Sequence, residues 1–181
     1  MSAGSWNFNS PTSLPSQFKL PVKPLEATQV FTNGTSKLFD FGKETFGFIK
    51  LHGLQGKGRV TIYYGESKEE ALDKNEAVTI DVLDVSNTSK KDSTMVLSKA
   101  FRYVQIVTEG NVSYSKASAL YEYADIEDKG SFTCNDAAIN KIYDVAKYTL
   151  HLSTREFFID GIKRDRWVWS GDAYQSYLMN Y

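Results

Sequence analysis

A change of period along the chain constrains its fold more than any other feature. From Lys37 to Tyr123 the sequence falls into six short segments, KLFDF, ETFGFIKL, GRVTIYYGE, AVTIDVLDV, AFRYVQIVTE and NVSYSKASALYEY. They alternate in character and are rich in β-branched and aromatic residues, as half-buried strands are. Turn signals separate them: Asn33-Gly34 suits a tight hairpin, Gly53 to Gly58 supplies a three-glycine loop, and Glu109-Gly110-Asn111 marks a reversal. Strands without intervening helices imply a mainly β fold, an antiparallel sandwich. The polar stretch Ser67 to Glu76 reads as a loop with a helical turn. The repeat then lengthens. After a last short strand, GSFTC, Asn135 or Asp136 can cap a helix running from Asp136 to about His151, with Ile139, Ile142, Tyr143, Ala146 and Leu150 at helical spacing. A second helix begins near Asp172 with Ala173, Tyr177 and Leu178.

Three regions follow from this. All four prolines lie in the first 24 residues amid Ser, Thr and Asn, so residues 1–28 read as an extended lead-in. Residues 29–125 form the β-sandwich, and residues 126–181 open a helical domain. With 41% apolar side chains, the 181 residues can bury a core.

Several function classes have little support. The 21 Lys and Arg nearly balance the 22 Asp and Glu, which argues against a nucleic-acid footprint. Cys134 is the single cysteine, so no internal disulfide is possible. His52 and His151 are too far apart in sequence to suggest a zinc site. Phosphate-loop and dinucleotide fingerprints do not occur. No metal or cofactor is therefore expected. No apolar run approaches a membrane span, and Met1 to Asn9 lacks the order of a signal peptide. The compartment stays open, since a longer parent could carry an export signal.

One segment differs from all the rest: EFFIDGIKRDRWVWSGD, between the two helical repeats. Residues 160 to 172 hold Asp160, Asp165 and Asp172, the cations Lys163, Arg164 and Arg166, and two tryptophans, Trp167 and Trp169. Carboxylates interleaved with guanidinium groups can be held at different pKa values, so that one donates a proton while others accept hydrogen bonds from hydroxyls. Tryptophan beside them offers a flat apolar face to a sugar ring. Residue types alone point to a carbohydrate-binding or glycoside-cleaving site. A solvated loop with local ion pairs, its tryptophans anchoring the core, explains the same residues.

The segment resembles the signature of the α-L-rhamnosidases of glycoside hydrolase family 78: an Asp, an Arg-Glu-Arg or Arg-Asp-Arg triplet, a Trp and a Gly-Asp at this spacing. Here these are Asp160, Arg164-Asp165-Arg166, Trp169 and Gly171-Asp172. GSFTCNDAAINKIYDVAKYT is similar to the stretch entering that family's helical barrel, and FDFGKETFGF, YYGES and FRYVQI to its preceding β domain, so roughly residues 20 to 181 are covered. The resemblance implies a jelly-roll-like sandwich followed by the first helices of a truncated (α/α)6 barrel. It implies that Asp165 is the general acid, that Asp160 and Asp172 bind rhamnose hydroxyls with support from Arg164, and that Trp169 walls the sugar. The implied substrate is a rhamnose-containing glycoside, cleaved with inversion. Two departures stand out: the acid is Asp where Glu is more common, and Ile162 stands where Pro is common. The family's base lies far downstream of the acid. The chain is thus expected to be an inactive N-terminal fragment of its parent, and its helical face is expected to drive self-association.

The alternative is a non-catalytic carbohydrate-binding or structural β-sandwich. The aromatic residues of the strands are explained by core packing. His52 reads as a loop residue, His151 as a cation at a helix C-terminus and Cys134 as a small buried hydrophobe. The sequons at Asn33, Asn87 and Asn111 are expected by chance. The stretch LDVSNTSKKD lacks calcium-loop spacing and reads as a polar hairpin.

Overall fold

In a computed structural model, residues 20–75, 77–155, 157–164 and 166–179 are described. They divide into two compact units, Val22–Glu122 and the remainder, each considered by itself below. No helix among the described residues is long and apolar enough to cross a membrane.

The first unit is one curled antiparallel sheet. Its strands are β1 (Val22–Leu25), β2 (Gln29–Asn33), β3 (Ser36–Gly65), β4 (Ile80–Thr94), β5 (Lys99–Ser113) and β6 (Lys116–Glu122). Strand β1 lies inside the proline-rich stretch; Pro24, which has no N–H to donate, sits on an edge strand paired only with β6. Strands β2 and β3 form the expected hairpin at Asn33-Gly34, with Asn33 opposite Ser36.

Three segments expected as separate strands are joined in β3, which bends past its neighbours. Its first part, Ser36 to Gly47, runs beside β5, and its last part, Gln55 to Gly65, runs along the other edge of β5. Val104 consequently faces Phe39 on one side and Tyr64 on the other. The middle part, Gly47 to His52, pairs with β6. Strand β4 follows the same curl, pairing near Lys50 and again from Gly56 to Tyr63.

The glycine loop expected at Gly53 to Gly58 is not a loop. It lies within β3, where the register with β4 shifts between Leu51 and Leu54 and again before Gly56. Gly53, at φ 59°, supplies the backbone turn of this bulge. An extra residue exchanges the two faces of a strand. The β3 residues of the main hydrophobic cluster accordingly change from odd positions, Phe39, Phe41, Ile49 and Leu51, to even ones, Leu54, Val60, Ile62 and Tyr64. Two other expected turns are also extended: Gly110 lies within β5, and LDVSNTSKKD within β4, because both find partners on β3. His52 is likewise a strand residue, its Nε2 2.8 Å from Ser118 Oγ and its Nδ1 3.4 Å from Asp92.

Phe101 centres the core, with Phe41 and Tyr64 each 5.4 Å away between ring centroids. The Tyr64 hydroxyl donates to Asp81 at 2.6 Å, and Lys99 Nζ reaches the other oxygen at 2.7 Å. Burial pushes the Tyr64 phenol well above its ordinary range. The short α1 (Lys68–Leu72) is capped by Ser67, whose hydroxyl accepts from the Glu70 N–H.

At the β3–β5 edge, Arg102 donates from Nε and Nη2 to the two oxygens of Asp40, at 3.0 and 3.1 Å, and the Gly42 N–H adds a third bond at 2.7 Å. The Arg102 bond is the main reason that the Asp40 carboxyl is held below its usual value. A folded-state pKa below the unfolded value means that the stabilisation is complete above the ordinary carboxylate range, about 4, and is lost as pH falls through the lowered value. Urea unfolding at about pH 6 and about pH 3 should show a larger loss for the native chain than for Arg102→Met. Equal losses would remove Asp40 from the acid response.

In the second unit, α2 (Ala137–Ser153) starts at Asp136, whose carboxylate accepts from Ala138 and Ile139 N–H at 2.8 and 3.3 Å. The expected strand GSFTC does not form. The Asn140 side chain takes both backbone groups of Cys134, accepting from its N–H and donating to its carbonyl, each at 2.9 Å. Cys134 is only partly buried, a correction to its reading as a small buried hydrophobe. His151, in the last turn of α2, pairs through Nε2 with Asp128 at 2.8 Å. Asp128 also holds Lys147, and these two partners keep its carboxyl below the usual value. The last helix, α3, spans Ser170–Met179.

Candidate functional site

The signature segment leaves α2 through a tight reversal. Thr154 bridges to Phe158, and the Ile159 N–H donates to the Ser153 carbonyl at 2.9 Å. Thr154 ends the helix by donating both its N–H and its hydroxyl to Leu150 O. A loop follows from Asp160 to Trp167, closed where the Asp160 N–H donates to the Trp167 carbonyl at 2.9 Å. The Trp169 carbonyl then accepts from Ala173 N–H at 2.8 Å as α3 begins.

These turns bring Asp160 and Asp172 onto one cleft of about 310 Å³ between α2 and α3. Its apolar wall includes Leu150, Phe158 and Ala173, and Thr149, Ser153 and Ser176 add hydroxyls. Phe158 meets Tyr177 of α3 edge to face at 5.4 Å. Arg164 Nη2 lies 3.8 Å from Asp160, so the guanidinium faces one of the two acids on the cleft. Trp169 does not line this cleft. It packs against Trp167 with ring centroids 6.0 Å apart and planes 29° from parallel, and both indoles remain about half exposed or more, at 47% and 63%. Asp165 lies outside the described residues.

Such a cleft has the chemistry of a polyol site. Two carboxylates can accept hydroxyl hydrogens, hydroxyl side chains can exchange bonds with a sugar, and the apolar wall can shelter a ring face. The sequence marks α2 only by its apolar positions. The hydroxyls of Thr149 and Ser153, one turn apart, gain meaning only when α3 lies alongside. Among the described residues no group of three or more His, Cys, Asp or Glu could hold a metal ion.

The family model described as alpha-rhamnosidase-like, bacteroidetes, N-terminal matches residues 1–106. The chain belongs to this family. Among solved structures, a rhamnosidase from Klebsiella oxytoca with rhamnose bound has a TM-score of 0.72 over 90% of this chain at 18% identity. A GH78 rhamnosidase of Bacillus sp. GL1 gives 0.67 over 90% at 24%, and an alpha-L-rhamnosidase from Dictyoglumus thermophilum gives 0.69 over 88% at 20%. At these identities the likeness establishes a shared fold. Sequence comparison with curated proteins finds no match. The rhamnosidase-like chain spans 39% of the Klebsiella structure and 18% and 20% of the other two.

Proposed function

We propose that this chain belongs to a glycoside hydrolase that removes terminal α-L-rhamnose by an inverting acid/base mechanism. The observation that carries the reading is the cleft on which Asp160 and Asp172, two acids of the rhamnosidase-like signature, meet. Asp165 protonates the departing glycosidic oxygen. Asp160 and Asp172 accept hydrogen bonds from rhamnose hydroxyls, and Arg164, 3.8 Å from Asp160, supports it; Trp169 lies outside the cleft and is assigned no contact with the sugar there. A second carboxylate, roughly 6.5–9.5 Å from the acid, activates water on the opposite face of the ring. In this reading the curled sheet is jelly-roll-like, and α2 and α3 open an α/α barrel whose further helices and base lie beyond these 181 residues. The short span relative to the rhamnosidase structures supports that arrangement.

The isolated chain should therefore bind L-rhamnose but not turn over an aryl α-L-rhamnoside. Titration followed by tryptophan fluorescence tests the first expectation and release of the aryl group the second. Sustained turnover by the purified chain would overturn the division of the site, and no response to rhamnose would count against binding here.

The second unit also exposes apolar side chains along α2 and α3: Ile142 is 66% exposed, and Val145, Tyr174 and Leu178 are at least half exposed. A face of this kind favours association. The weight-average mass in sedimentation should rise with concentration and fall back for Ile142→Glu. A monodisperse monomer at millimolar concentration would refute this expectation.

A further inference from the structure

Among the described residues, Arg166 is the one non-glycine residue with a positive φ, 55°. L residues adopt this left-handed conformation at a cost, and it persists where the surroundings over-determine it. Arg166 is also tied twice to the start of its own loop. Its N–H donates to the Gly161 carbonyl at 3.3 Å, and its Nε–H donates to the Ile162 carbonyl at 3.0 Å. The Arg164 N–H shares the Gly161 acceptor at 2.9 Å. The next residue, Trp167, closes the loop by accepting from the Asp160 N–H. The left-handed turn thus directs the chain back to Asp160, which lines the cleft.

We infer that Arg166 is a positioning residue. Its left-handed backbone and its guanidinium bond to Ile162 hold the junction between Asp160 and Trp167, and so fix the Asp160 carboxylate on the cleft shared with Asp172. The functional half of this inference rests on the reading of Asp160 as a sugar-binding acid. The structural half does not.

Amide hydrogen exchange in the 181-residue chain separates the two halves. In Arg166→Ala the Asp160 amide should exchange at least tenfold faster, while the amides of Val104 and Ile106 in the β unit keep their native rates. Arg166→Lys, whose ammonium can reach the same carbonyl, should restore most of the protection. L-rhamnose affinity, followed by tryptophan fluorescence, should fall several-fold in Arg166→Ala and recover in Arg166→Lys. Should the alanine variant unfold α2, Arg166→Gly keeps the test usable. It relaxes the left-handed backbone yet lacks the guanidinium, and it too should lose protection at Asp160. Native exchange at Asp160 in Arg166→Ala or Arg166→Gly overturns the proposal, as does a loss that lysine leaves uncorrected. A native chain that binds no rhamnose refutes the sugar-binding reading, and the exchange rates then decide whether Arg166 holds the loop.

Discussion

Gly56→Ala should abolish cooperative folding of the β unit. Gly56 lies in β3 at φ 114°, a region that L residues rarely adopt, and an added Cβ would fall 1.9 Å from the Asn111 carbonyl oxygen and 2.9 Å from its carbon. Both neighbours are backbone, so no side-chain rotation relieves the clash. Separating the strands would break the pairing of Gly56 with Val112 on one side and Asn87 on the other. The expected cost is about 4 kcal/mol or more, comparable with the whole stability of a marginal domain. Gly34→Ala is the control. Its Cβ meets nothing within 4 Å, and the left-handed φ of 59° should cost only about 1–2 kcal/mol. Urea unfolding followed by circular dichroism distinguishes them, and a native-like transition for Gly56→Ala would show that the two strands do not approach this closely.

The second large effect is expected at the cleft. Asp172→Ala removes a carboxylate from the first turn of α3, and Asp160→Asn removes that of the other acid lining the cleft. Charge-assisted hydrogen bonds to a ligand are worth roughly 1.5–3 kcal/mol each, which corresponds to about ten- to a hundredfold in rhamnose affinity for each substitution. Both acids would bind the same small ring, so their effects should not add. Melting of the β unit should stay unchanged, because it forms a separate compact unit. Rhamnose binding that survives both substitutions would move the sugar site to the sheet and favour a carbohydrate-binding module.

The alternation that marks the strands, and Asp136 as the start of α2, were legible from the residues because they are local signals. Asp136 caps with its own carboxylate, and Val104 and Ile106 flank the polar Gln105 wherever the strand sits. The glycines of β3 and β5 were misleading for a physical reason. Taken alone, Gly53, Gly56, Gly58 and Gly110 favour turns. In the fold, Gly53 forms a bulge, and Gly56 admits a neighbouring backbone too close for any Cβ. GSFTC has the composition of a strand, but Asn140 claims the Cys134 backbone before any strand partner does. At the site, the acids and tryptophans stood out by their density. The shared cleft of Asp160 and Asp172, the stacking of Trp167 on Trp169 and the left-handed Arg166 depend on how the segment turns back, which no spacing rule encodes.

Strand β3 pairs with β2, β4, β5 and β6, and this dictates how the β unit can be made. During synthesis β3 is complete long before Lys99–Ser113 and Lys116–Glu122 exist to cover it. Its apolar face must wait, uncovered, for partners that arrive late. Such long-range pairing places folding in the slow range, roughly milliseconds to seconds, and leaves a window in which another chain can pair first. Every strand pairing except that of β1 with β6 requires β3, so the unit should appear as a whole once residue 122 has emerged.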